Sequence, residues 1–141
     1  MKAILALSLF ISFSSFASTC PELSGDYVCQ KGSHISYKSI EKTETGYIVV
    51  SDGVEMEYAT DGKTYDLPST ESVKDAKVVA SCKNNVFVVD FTGTILYEGS
   101  ELAKQVSKTE YSLKGDKMIY SQKIKMKGLP MPALTLACTK N

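Results

Sequence analysis

Apolar and polar side chains alternate along most of the chain from Gly25 to Thr139, the two-residue period of strands with one face on a core. The clearest stretch surrounds two Asp-Gly pairs, Asp52-Gly53 and Asp61-Gly62. Asp-Gly suits the type I′ hairpin turn, whose two central residues both need positive φ. Folding the chain about the first pair sets Tyr47 opposite Tyr58 and Val49 opposite Met56. Folding about the second sets Tyr58 opposite Tyr65 and Met56 opposite Leu67. One face then carries Tyr47, Tyr58 and Tyr65 beside Val49, Met56 and Leu67, while Glu55, Glu57 and Asp66 point away.

The same pattern extends in both directions. Residues 25–29 form a first short strand, and residues 34–43 a second, in which Ile35 and Tyr37 differ in parity from Ile40; a bulge near Ser39 is expected. Residues 68–75 are polar and fit either a loop or one helical turn. Asn84-Asn85 then pairs Cys82 with Phe87, Ala80 with Val89 and Val78 with Phe91. Beyond Phe91 the apolar parity changes at Thr92-Gly93, which predicts a glycine bulge. Gly99-Ser100 and Gly115-Asp116 place glycine first, as a type II′ turn requires. The latter pairs Leu113 with Met118, Tyr111 with Tyr120, Thr109 with Gln122 and Ser107 with Ile124. After the connection at residues 128–132, Leu134, Leu136 and Cys138 share a face.

These elements predict an all-β protein: an antiparallel up-and-down meander of about ten strands, closed or nearly closed into a small β-barrel that removes its free edges. Its inner face is mixed. Tyr111, Leu113, Met118, Tyr120, Ile124 and Met126 share it with Gln105, Ser107, Thr109 and Gln122. A dry core rejects that many polar groups, since each unsatisfied one costs roughly 1 to 3 kcal/mol. A solvated cavity accepts them, as does exposure at a barrel mouth. The candidate ligand-lining residues are Tyr47, Met56, Tyr58, Tyr65, Tyr111, Met118, Tyr120, Gln122 and Met126.

The N-terminus reads as a secretory signal over residues 1–17: Lys2, an apolar run to Phe13, and Ser15-Phe16-Ala17 as a cleavage site. The apolar run is shorter than the ~20 residues of a membrane span. Lipid attachment at Cys20 is disfavoured, because Ala17-Ser18-Thr19-Cys20 matches a lipobox poorly. Cleavage leaves one domain, residues 18–141, in a periplasmic or secreted setting.

Without Lys2 that domain carries 15 Lys and no Arg against 16 Asp plus Glu. A net charge this close to zero argues against nucleic acid as a partner. Four cysteines in an exported chain imply two disulfides. The pairing Cys20 with Cys29 and Cys82 with Cys138 closes the shortest loop and is favoured; adjacency of first and last strands in a closed meander would favour Cys29 with Cys138 instead. No Cys-x-x-Cys occurs and His34 is the only histidine, so no metal site is assigned.

In strand order the architecture resembles the calycin group, the lipocalins and fatty-acid-binding proteins. Their first strand carries Gly-x-Trp, matched here by Gly25-Asp26-Tyr27 with Tyr in place of Trp. The resemblance implies a barrel that holds a small apolar ligand. The chain departs from it in having no Trp, no Arg at the barrel base and no helical lid sequence.

Catalysis finds no constellation to stand on. His34 lies in a Gly-Ser-His segment without a nucleophile elbow, and Glu57 opposite Asp66 reads as a solvated outer pair. No catalytic residue and no cofactor are expected. Lys123, Lys125 and Lys127 project from one strand face, either as a solvated wall or toward an anionic surface. Leu129 and Met131 give the adjoining loop apolar tips, candidates for partner contact. The expected function is binding of a small apolar or amphipathic molecule inside a barrel, without catalysis; the alternative is a protein-interaction module, an inhibitor or envelope-associated domain, on the same scaffold.

Overall fold

The computed structural model describes residues 19–141; the expected export signal, residues 1–17, lies outside the described residues. Eleven strands follow one another: β1 (Gly25–Lys31), β2 (His34–Lys42), β3 (Gly46–Ser51), β4 (Val54–Ala59), β5 (Asp61–Asp66), β6 (Val73–Lys83), β7 (Val86–Tyr97), β8 (Ser100–Lys114), β9 (Lys117–Met126), β10 (Leu129–Pro130) and β11 (Leu134–Lys140). All pair antiparallel in one sheet of order β4-β3-β2-β1-β11-β9-β8-β7-β6-β5, with β10 folded back on β9. The sheet rolls into a nearly closed barrel, as its alternation predicts.

The turns set the register. Asp52 (φ 49°) and Gly53 (φ 87°) both take positive φ, and Tyr47 faces Tyr58 while Val49 faces Met56. Asn84 and Asn85 act likewise, and Cys82 faces Phe87. The β8–β9 register also holds throughout, with Tyr111 opposite Tyr120 and Thr109 opposite Gln122.

Asp61-Gly62 behaves differently. It makes no hairpin: β4 and β5 are the two edges of the sheet, so Tyr65 does not face Tyr58 and Met56 does not face Leu67. Instead Asp61 pairs with Ser81 and Thr64 with Val79. Two residues, Gly62 and Lys63, oppose the single Ala80, and Gly62 (φ 73°) supplies the left-handed residue of a bulge. Asp-Gly is as good a bulge signal as a turn signal, and β5 gains more by pairing with the long β6.

Three local expectations are also corrected. β2 carries no bulge; Ser36, Lys38 and Ile40 face inward, leaving Ile35 and Tyr37 exposed. β7 runs straight through Thr92-Gly93 against Val106-Gln105, and the irregularities lie instead in β6 between Lys74 and Lys77 and near Leu96. A side chain at Gly93 would meet the Phe91 ring, which covers the glycine. The β7–β8 turn is Glu98-Gly99, both at positive φ, rather than Gly99-Ser100. The polar stretch at 68–75 resolves into a loop through residue 72 and the start of β6.

The disulfides join Cys20 to Cys82 and Cys29 to Cys138, correcting the favoured local pairing. Barrel topology overrides loop length here. Cys29 and Cys138 are direct register partners on β1 and β11, the first and last strands, and Cys20 reaches β6 because the N-terminal segment crosses the barrel base.

That segment seals one end. Pro21 and Leu23 are fully buried. The Tyr47 hydroxyl donates to the Pro21 carbonyl, the Tyr27 hydroxyl to the Leu23 carbonyl at 2.8 Å, and the Lys42 ammonium to the Cys20 carbonyl at 3.0 Å. Above this plug lies an aromatic core in which Phe87 packs against Tyr47 and Tyr111, with ring centroids 4.3 and 5.2 Å apart. Tyr111 in turn meets Tyr120 edge-on. Cys29, Cys138, Met118 and Leu136 pack in the same core, together with Ile40, Val49 and Ala80. Strand direction then places the remaining interior at the far end, next to the turns at Gly32, Gly53, Gly99 and Gly128.

Candidate functional site

The upper interior is a cavity of ≈ 510 Å³ with an open mouth. Its floor is Val78, Val89 and Thr109, just above the aromatic core. Met56 and Tyr58 come from β4, Val73 and Ala76 from β6, Phe91 from β7, Gln105 and Ser107 from β8, and Gln122 from β9. Leu67, Pro68 and Thr70, between β5 and β6, form the rim. Alternation explains the set: each strand contributes every second residue, and the apolar ones come from β4 to β7 while the polar ones come from β8 and β9. The cavity is therefore two-sided. No buried side-chain nitrogen or oxygen among the described residues lacks a partner, so this polar wall is solvated through the mouth or paired locally.

A smaller opening of ≈ 270 Å³ lies along the seam between the two sheet edges, bounded by Glu57, Tyr58, Tyr65, Leu67, Val78 and Ala80. Thr60 alone joins β4 to β5 at the closed end of this seam, and its amide donates to the Thr45 carbonyl at 2.9 Å.

The nine ligand-lining candidates divide into four groups. Met56, Tyr58 and Gln122 line the cavity. Tyr65 borders the seam, 41% exposed, its hydroxyl donating to Asp61 Oδ2 at 2.7 Å. Tyr47, Tyr111, Met118 and Tyr120 belong to the packed core, and half-buried Met126 pairs with Gln105 and Leu129 near the mouth. Sequence reasoning misses Val73, Pro68 and Thr70, which lie in the polar stretch without alternation, and Phe91, whose inward face its register with Val78 places. Leu129 and Met131 are 70% and 47% exposed at the mouth end. Glu57 and Asp66 are not partners; Asp66 pairs with Lys77 at 2.6 Å.

The electrostatics beside the cavity centre on Lys38. Its ammonium is inside the barrel, donating to Ser51 Oγ at 2.7 Å and lying 4.3 Å from the Tyr120 ring centroid. Burial holds its pKa below the ordinary lysine value, partly offset by the negative charge of Asp52. Asp52 accepts from the Tyr37 amide and from Ser36 Oγ, both at 2.8 Å, and these bonds lower its pKa. Burial raises Tyr58, Tyr111 and Tyr120, and pushes Tyr47 up to about 12. The phenols are therefore neutral at ordinary pH and serve as hydrogen-bonding and packing groups.

The arrangement offers shape, apolar surface and a polar strip, the ingredients of reversible binding. Among the described residues no three or more His, Cys, Asp or Glu gather as a metal site, and no helix is long and apolar enough to cross a membrane. No family model, curated protein or solved structure matches this chain.

Proposed function

We propose that this chain is an exported, non-catalytic binding protein that holds a small apolar or amphipathic molecule in the upper half of its barrel. The observation that carries the reading is the ≈ 510 Å³ cavity, apolar on β4 to β7 and polar on β8 and β9. Its size falls within the roughly 300–1,000 Å³ of small-molecule sites. Two disulfides fit an oxidising compartment, periplasmic or extracellular.

Native mass spectrometry of protein purified from its own compartment, followed by organic extraction, tests the proposal. A stoichiometric small molecule supports it and identifies the ligand class. An empty monomer that also ignores a panel of fatty acids and hydrophobic dyes overturns it.

The unpaired edges of β4 and β5 favour a second reading, a protein-interaction module. Such edges accept a strand from another chain. Under this reading the seam side of the barrel is protected from hydrogen exchange by a partner, and the interior takes up no ligand.

A further inference from the structure

Two neighbouring hairpin tips at the mouth expose large apolar side chains. Tyr97 (65% exposed) and Leu102 (49%) flank the β7–β8 turn, and Leu129 (70%) and Met131 (47%) belong to the β9–β10 turn and the chain beyond it. The Lys127 amide donates to the Lys104 carbonyl at 3.2 Å, extending the β8–β9 ladder to the start of the β9–β10 turn, beyond which the β7–β8 hairpin projects. Two left-handed residues, Lys127 (φ 53°) and Gly128 (φ 74°), fold β10 back on β9 and present Leu129 to solvent.

Directly behind these tips, Lys104, Lys123 and Lys125 stand exposed on the outer wall of β8 and β9, and Lys127 is exposed in the β9–β10 turn itself. None has a carboxylate within 4.0 Å among the described residues, whereas Lys74 and Lys108 are paired with Glu101 and Glu110. Two acids, Glu98 and Glu101, lie between Tyr97 and Leu102 at the β7–β8 tip, and Glu101 is the one engaged by Lys74. On the opposite side of the barrel stand Glu55 and Glu57 on β4 and Asp61 and Asp66 on β5, where the lysines Lys63 and Lys77 are both engaged by Asp61 and Asp66. The near-zero net charge thus conceals a polarised molecule.

We infer that the β7–β10 side of the mouth docks on an anionic phospholipid bilayer. The four apolar side chains of the two tips enter the interfacial region, the unpaired lysines meet the headgroup phosphates, and the β4–β5 side tilts away. Apolar tips backed by cations match such a surface in both of its properties, whereas a solvated wall needs no apolar tips. The inference holds whether or not the cavity is filled. Where it is filled, Gln105 connects the two features, since it lines the cavity and pairs with Met126 just before the docking turn.

Sedimentation of the intact, oxidised protein with phosphatidylcholine vesicles containing about 30% phosphatidylglycerol tests this, with pure phosphatidylcholine as the comparison. The expected result is binding to the anionic vesicles alone, lost in high salt. The triple variant Lys104→Gln, Lys125→Gln, Lys127→Gln weakens it roughly fivefold per charge removed, and Leu129→Ser with Met131→Ser weakens it further. All five positions are exposed, so circular dichroism melts stay at the wild-type temperature. Lys63→Gln, on the β5 side, leaves binding unchanged. Equal binding by wild type and both variants, no binding by wild type, or a basic face that only drives self-association in gel filtration each overturns the inference.

Discussion

The ammonium of Lys38 lies 4.3 Å from the centre of the Tyr120 ring, inside a barrel where no carboxylate of the described residues comes within ion-pair distance of it. Replacing Lys38 with Met removes a costly buried charge and keeps the volume. The expected outcome is a protein as stable as wild type or more stable by about 1 kcal/mol, read from urea unfolding at neutral pH. Because burial lowers the Lys38 pKa, the penalty is fully present below that lowered value and is relieved as pH rises through it. The gain from Lys38→Met therefore shrinks in alkaline solution.

Non-reducing peptide mapping is expected to recover Cys20 linked to Cys82 and Cys29 linked to Cys138. Their sequence separations of 62 and 109 residues imply about 4 and about 5 kcal/mol on the loop-entropy model. Loss of either bond should sharply lower the melting temperature.

A methyl group at position 46 would overlap the Tyr58 carbonyl oxygen, and backbone cannot yield as a flexible side chain does. Gly46→Ala should destabilise the protein by on the order of 3 kcal/mol, measured by chemical denaturation.

Within the cavity, Ser107→Phe places a ring where the polar wall now stands. Uptake of a hydrophobic dye or fatty acid should fall at least roughly tenfold, measured by fluorescence titration. Tyr111→Phe, in the core below, keeps the packing and should leave uptake nearly unchanged.

Alkaline stability follows from the phenols. Tyr47 moves from the ordinary 10.0 to about 12, and Tyr58, Tyr111 and Tyr120 also rise. Their contribution is complete below the unfolded value near 10 and is lost as pH rises through the folded values. The part of the tyrosinate absorbance that comes from these buried phenols should therefore appear together with the loss of far-ultraviolet circular dichroism above about pH 10.

How far the sequence discloses this molecule depends on the range of each signal. Asn84-Asn85 and Gly115-Asp116 fix neighbouring strands through local backbone geometry, so the pairs Cys82 with Phe87 and Tyr111 with Tyr120 are readable from the order of residues alone. Asp61-Gly62 carries the same local chemistry but sits where the sheet runs out, and only the competition between β4 and β6 for β5 decides its use. Cys20 shows the same limit: its partner Cys82 depends on the N-terminal segment crossing the base, which no periodicity encodes. The cavity is legible as an excess of Gln, Ser and Thr on an inner face. Its rim at Pro68 and Thr70 is not, because a loop without alternation has no face to assign.

Thr60 gives the barrel the mechanics of a split ring. Around most of the circumference, neighbouring strands are held by hydrogen-bond ladders, and the base is held by the Cys20–Cys82 bond. Along the β4–β5 seam the wall is continuous only through one residue at the closed end. The bore can therefore widen from that hinge toward the mouth without breaking a single backbone ladder bond. Under the proposed function, a molecule somewhat larger than the resting cavity would be met by bending of the wall rather than by local unfolding.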